Sequence, residues 1–184
     1  MKTPIHTVPF TRTYWVESGK LLAGCYPGDK DPRETTRKLT SLIDAGIRVV
    51  INLMEKGETD LQGHSFLPYE PELESLAQAR DIKIDIVRIP IRDMGIPNEK
   101  VMKRILTRID TALAKNKPVF LHCWGGRGRT GTVVGCYLAR HGIAEGDLAL
   151  ERIRILRAGD PSSRLPSPET SEQRGLVRGW REGE

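Results

Sequence analysis

The sequence is poor in cysteine: only Cys25, Cys123 and Cys136 occur in 184 residues. An odd set without zinc-site spacing excludes a disulfide framework and a structural zinc module, and a reducing compartment is its natural setting. No apolar run approaches the ~18 residues of a membrane span. No basic region leads into an apolar core at the N-terminus, so no signal peptide is expected and the expected location is cytoplasmic. No Gly-x4-Gly-Lys-Ser/Thr string occurs, which excludes the Walker A phosphate cradle and with it ordinary nucleotide hydrolysis. Internal repeats, glycosylation sequons and low-complexity tracts are also absent. There is no dense basic stripe. The net charge of +5 and pI near 9.2 are mild, and the cluster Arg152, Arg154, Arg157 and Arg164 reads as a solvated helix face. An anionic substrate is expected, and a nucleic-acid partner is not.

What is there describes one ordinary globule, with 38% apolar and 29% charged residues, long enough to bury a substantial core. Residues 1–13 read as an irregular arm, with 14–184 as the folded domain. Trp15–Glu17 and Lys20–Ala23 suggest a hairpin turning at Ser18-Gly19. A helix from Pro32 to Gly46 precedes the β-branched run Ile47–Leu53, a strand buried on both faces. Residues 54–70 form a long polar loop, bordered by a helix over 71–80 and a strand over 82–91. Asn98 is a plausible N-cap for an amphipathic helix over 99–114. Helices are also expected over 144–157 and from Glu169 towards Trp180. The pattern predicts an α/β domain with a central, mainly parallel sheet of about four or five strands and helices on both faces. Its site is expected at the carboxyl ends of the strands.

The chain is organised around Val119-Phe120-Leu121-His122-Cys123-Trp124-Gly125-Gly126-Arg127-Gly128-Arg129-Thr130-Gly131. This reads as a buried strand, a Gly-rich turn and a helix beginning near Gly128. N–H groups of such a turn converge on one point, and the helix aims its positive end there too. A phosphate fits that point, Arg129 adds a planar bidentate clamp, and the same field is expected to favour the Cys123 thiolate.

The string His-Cys-x-x-Gly-x-x-Arg-Thr-Gly resembles the signature of the cysteine-dependent protein tyrosine phosphatase superfamily. The flanking chain is similar to its small dual-specificity branch. The resemblance implies that Cys123 is a nucleophile forming a phosphocysteine. Arg129 would bind phosphate, and the Thr130 hydroxyl would steady the departing thiolate. Trp124, Gly125, Gly126, Arg127 and Gly128 would complete the phosphate site, and His122 would fix the loop rather than act as a base. It further implies a general-acid loop in Pro90-Ile91-Arg92-Asp93-Met94-Gly95-Ile96-Pro97, where Asp93 lies thirty residues before Cys123. A carboxylic acid there protonates the departing oxygen and later takes a proton from water. Asp85 and Asp110 are weaker candidates, falling inside a strand and a helix. Pro168-Glu169-Thr170-Ser171-Glu172-Gln173 resembles a segment whose Gln, here Gln173, orients the hydrolytic water. The loop at 54–70 would border the cleft, with His64 a surface residue.

This scheme calls for no metal and no cofactor, because fixed dipoles and the arginine supply the stabilisation. The partners it implies are a phosphorylated protein, on tyrosine or on serine and threonine, or a phosphorylated inositol or lipid. Arg127, inside the turn, either favours such highly charged substrates or pairs with an acidic neighbour. A catalytically silent phosphate-binding module, a sulfurtransferase and an arsenate reductase are the alternatives. Cys25 is read as structural, with redox partnership to Cys123 as the other possibility.

Overall fold

The computed structural model describes residues 7–184. Strands β1 (Thr13–Glu17), β2 (Leu21–Gly24), β3 (Val49–Asn52), β4 (Asp85–Arg88) and β5 (Val119–His122) form one sheet in the order β1-β2-β5-β3-β4. Only the β1–β2 hairpin is antiparallel; the other three pairings are parallel. The helices are α1 (Pro32–Asp44), α2 (Glu70–Gln78), α3 (Glu99–Leu113), α4 (Arg129–Arg140), α5 (Gly146–Leu156) and α6 (Ser171–Gly179). The expected single α/β domain with a mainly parallel sheet is the one observed.

Successive strand residues point to opposite faces, and here both faces are covered. Leu21, Ala23, Val49, Ile51, Val119 and Leu121 pack with α3, α4, α5 and α6. Leu22, Val50 and Phe120 pack with α1 and α2 on the other side. Double burial explains why β3 and β5 read as unbroken apolar runs. It also places their carboxyl ends, and everything that follows them, at one edge of the sheet.

Several boundaries differ from the sequence reading. The alternation over 82–91 predicts a longer strand than the ladder provides, because β4 pairs only over Asp85–Arg88. Beyond it, Ile89 and Ile91 N–H still donate to Asn52 and Leu53 carbonyls, both at 2.9 Å, with Pro90 between them lacking a donor. The last helix starts at Ser171 rather than Glu169, because Thr170 is its N-cap and forms a capping box with Gln173. Of the segment read as an arm, residues 1–6 lie outside the described residues. Residues 7–12 carry no helix or strand, yet Phe10 is buried against Phe120 with ring centroids 6.0 Å apart, and Thr13 already begins β1.

Candidate active site

β5 ends at His122, and the chain turns through Cys123–Gly128 into α4, whose N-cap is Gly128. Three outward carbonyls shape this turn. Trp124 C=O accepts from Tyr26 N–H at 2.9 Å, Gly125 C=O from Arg12 Nη2 at 2.8 Å, and Arg127 C=O from the Ser167 hydroxyl at 2.8 Å. In a trans peptide the N–H points opposite to the C=O, so the N–H groups of Gly125, Gly126 and Gly128 turn to the other side. No acceptor among the described residues takes those three. Gly126 has φ +70°, and a Cβ there would lie 2.5 Å from the Gly24 carbonyl carbon. Only glycine fits so close to the end of β2.

Cys123 is 2% exposed and lines a cleft of about 450 Å³ together with Arg12, Asp93, Trp124, Arg127, Arg129 and Glu169. The Arg129 guanidinium is buried and engaged through both terminal nitrogens. Its Nη1 donates to Glu58 Oε1 and, at 3.1 Å, to Ile91 C=O. Its Nη2 donates to Glu58 Oε2 at 3.0 Å and pairs with Asp93 Oδ1 at 3.0 Å. Burial opposes the charge, but Glu58, Cys123 and Asp93 outweigh it and hold the guanidinium above its ordinary pKa. The fork thus ties the turn to the loop after β3 and to the Asp93 loop.

His122 sits beneath. Its Nε2 lies 2.7 Å from the Tyr69 hydroxyl and its Nδ1 3.2 Å from Cys123 C=O. Burial lowers its pKa to about 3, while burial raises that of Tyr69 well above the usual phenol value. A neutral ring carrying its proton on Nδ1 satisfies both bonds, with Tyr69 as the donor to Nε2.

The remaining predicted residues are placed as follows. Thr130 is fully buried, but its hydroxyl donates to Gly24 C=O at 3.4 Å, not to the Cys123 sulfur. Gln173 is buried beside Gly128. Its Oε1 accepts from Glu169 and Thr170 N–H at 3.0 and 3.1 Å, and its Nε2 donates to Gly95 C=O at 3.0 Å. The amide therefore links the cap of α6 to the Asp93 loop. Trp124 walls the cleft and meets Phe66 at 5.5 Å between centroids. Arg127 pairs with Glu169 while its buried Nε has no partner. His64 is a surface residue at 3.2 Å from Asp60.

Cys25 packs among Phe10, Leu22 and Leu39 on the α1–α2 face, whereas Cys123 belongs to the other core. Burial raises the pKa of the Cys25 thiol, which fits a structural residue. Two residues at the site were missed by sequence reasoning. Glu58 lies in the loop that showed no regular pattern; the only signal was that a buried arginine needs a carboxylate. Arg12 lies in the segment read as an arm.

A mainly parallel sheet that delivers a cysteine into such a turn, ahead of a helix, is the fold of the cysteine-dependent tyrosine phosphatase superfamily. The chain belongs to the family described as polymorphic toxin system, DSP-PTPase phosphatase, whose model matches residues 27–143. Among solved structures it is similar to kinase-associated phosphatase bearing a serine at its catalytic-site cysteine, at TM-score 0.67 and 23% identity, covering 96% of this chain and 94% of that one. It is likewise similar to PTPMT1 in complex with PI(5)P, at TM-score 0.64 and 20% identity, with 91% and 92% covered. TpbA of P. aeruginosa in complex with pTyr matches at TM-score 0.62 and 18% identity, with 95% and 88% covered. By sequence it is 39% identical over 62 residues to the uncharacterized protein MJ0215 of Methanocaldococcus jannaschii, a stretch spanning 34% of this chain and 39% of that relative.

Proposed function

We propose that the protein is a phosphomonoester hydrolase of the tyrosine and dual-specificity type, working through a phosphocysteine without a metal. The observation that carries this reading is the convergence on one cleft of Cys123, Arg129 and Asp93 with three N–H groups that lack protein acceptors. A phosphate seated on those N–H groups presents phosphorus to Cys123 Sγ. The sulfur forms the S–P bond as the P–O bond to the leaving group breaks, and Asp93 supplies the proton to the leaving oxygen. Asp93 now contacts Arg129, so it exchanges that contact for the leaving oxygen when substrate arrives. In the second step the Asp93 carboxylate takes a proton from water, whose oxygen displaces Cys123 and releases inorganic phosphate.

Thr130 supports the departing thiolate by rotating its hydroxyl from Gly24 C=O to sulfur. Gln173, placed beside Gly128, has one amide hydrogen left to orient the water. Trp124, Gly125, Gly126, Arg127 and Gly128 wall the phosphate, and neutral His122 anchors the turn from below.

Two substrate classes fit this chemistry. A protein phosphorylated on tyrosine, or on serine and threonine, is the substrate that the family's description suggests, and TpbA has been solved with pTyr. A phosphorylated inositol or lipid is favoured by a further cation in the cleft, Arg12, which has no carboxylate partner among the described residues. The test is phosphate release from an aryl phosphate in EDTA by wild type, Cys123→Ser and Asp93→Asn. Wild type alone should turn over. Full activity in Cys123→Ser would refute the proposal.

A further inference from the structure

The rim of the cleft carries features that hydrolysis of a soluble ester does not need. Leu61 is 86% exposed, Leu67 62%, Met94 50% and Ile96 43%. Leu61 and Met94 line the same cleft as Cys123, and Leu67 lines the adjoining hollow with Arg12 and Trp124. Exposed apolar side chains are unremarkable singly, but grouped around a site they mark an interaction surface.

These side chains are held out by built turns. Leu61 stands in a turn closed by the Thr59–Ser65 bridge and by Asp60 N–H donating to His64 C=O at 2.8 Å. Asp60 Oδ1 accepts from Gln62 and His64 N–H, both at 2.9 Å. Met94 has φ +60°, a conformation uncommon for a non-glycine residue. It sits between Asp93 and Gly95, whose carbonyl is held by Gln173.

Cations accompany these tips: Arg12 lines the cleft, Lys56 lines a hollow with Leu67, and Arg92 precedes Asp93. Arg12, Lys56 and Arg92 are exposed, and none has a carboxylate partner among the described residues. The nearby acids are largely committed: Glu58 and Asp93 to Arg129, Glu169 to Arg127, and Asp60 to Lys30 and His64. Glu55 alone faces solvent without a cation. The region therefore combines apolar tips with cations that lack carboxylate partners beside the Cys123 cleft.

We infer that this rim docks on an anionic phospholipid surface and that the hydrolysed phosphomonoester is carried on a lipid headgroup. The inference rests on the phosphatase reading above. Leu61 and Met94 stand exposed on two separate loops, and Leu67 is exposed in the adjoining hollow. Exposed apolar side chains suit the yielding boundary between headgroups and acyl chains. Arg12, Lys56 and Arg92 are then drawn to the anionic lipid headgroups.

The experiment measures co-sedimentation with vesicles of phosphatidylcholine alone and of phosphatidylcholine with phosphatidylserine. It also measures turnover of a phosphatidylinositol monophosphate in vesicles, of its short-chain soluble form and of a phosphotyrosine peptide. Wild type should bind only the anionic vesicles, release them in high salt, and prefer the vesicle substrate. Leu61→Asp combined with Leu67→Asp should weaken vesicle binding at least about tenfold, from the transfer energy of two leucines, in a sedimentation assay that does not depend on turnover. Lys56→Glu gives a second variant that leaves the turns intact and should weaken binding with a smaller salt dependence. Aryl phosphate turnover without vesicle binding would overturn the inference, as would a double variant that binds like wild type. Selective loss of peptide turnover in the double variant would assign the rim to a protein partner instead. Absence of all aryl phosphate turnover would fail the phosphatase reading while leaving vesicle binding readable by itself.

Discussion

The turn from Cys123 to Gly128 and the loop from Met54 to Pro68 meet at the Arg129 guanidinium, but they are held there by different means. The turn is fixed from several sides by backbone bonds, by Gly126 pressed on β2 and by neutral His122 below. The loop is polar and exposed apart from a few anchors, and its contact with the Arg129 guanidinium is made by one side chain, Glu58. On the proposed function, one region is the anion cradle and the other a removable support for the cation that completes it. This contrast implies that damage to the turn abolishes chemistry, whereas damage to the loop loosens phosphate binding.

The largest effect should come from the turn. Cys123→Ser should lower kcat on an aryl phosphate on the order of 10⁴-fold or more while leaving the thermal midpoint near that of wild type. Glu58→Gln tests the other region. It removes a charge-assisted fork at a buried arginine, a contribution of about 2 kcal/mol, so kcat/KM should fall roughly thirtyfold. Most of that fall should appear in KM, as measured by steady-state kinetics. A Glu58→Gln enzyme with wild-type KM would end the distinction between cradle and support.

Stability separates the two regions as well. Gly126→Ala forces a Cβ into the Gly24–Cys25 backbone at a positive φ and should cost about 1–3 kcal/mol in denaturant unfolding, together with activity. His122 adds a pH signature. Its folded pKa of about 3 lies below the ordinary 6.5, so protonation favours the unfolded chain. Its contribution is fully present above pH ~6.5 and is lost as pH falls from there towards about 3, some 3 kcal/mol of it by pH 4. His122→Phe should flatten that part of the stability profile. The smallest effect is expected for Ser167→Ala, which loses one hydrogen bond to Arg127 C=O worth about 1 kcal/mol and should raise KM only slightly.

The same contrast explains what could be read in advance. β5, the turn and α4 are contiguous, so strand pattern, glycine spacing and helix periodicity all report on one object. Asp93 could be singled out because it follows a strand, lies between Pro90 and Pro97, and stands thirty residues before Cys123. Glu58 was not, since its meaning depends on Arg129, 71 residues away, and on no local pattern. Arg12 was hidden by an irregular segment that contributes a buried Phe10 and a hydrogen bond to the turn. Gln173 lies beside Gly128, but Thr170-x-x-Gln173 is also a capping box, so its amide is shared between helix cap and Asp93 loop. Thr130 was placed by its neighbours, while the direction of its hydroxyl depended on how close β2 approaches.

The most direct measurement is mass spectrometry of wild type quenched in acid during turnover of an aryl phosphate. The account predicts one added phosphoryl group on the peptide containing Cys123, accumulating further in Asp93→Asn and absent in Cys123→Ser. Continued turnover with no such adduct, and with Cys123→Ser still active, would contradict it.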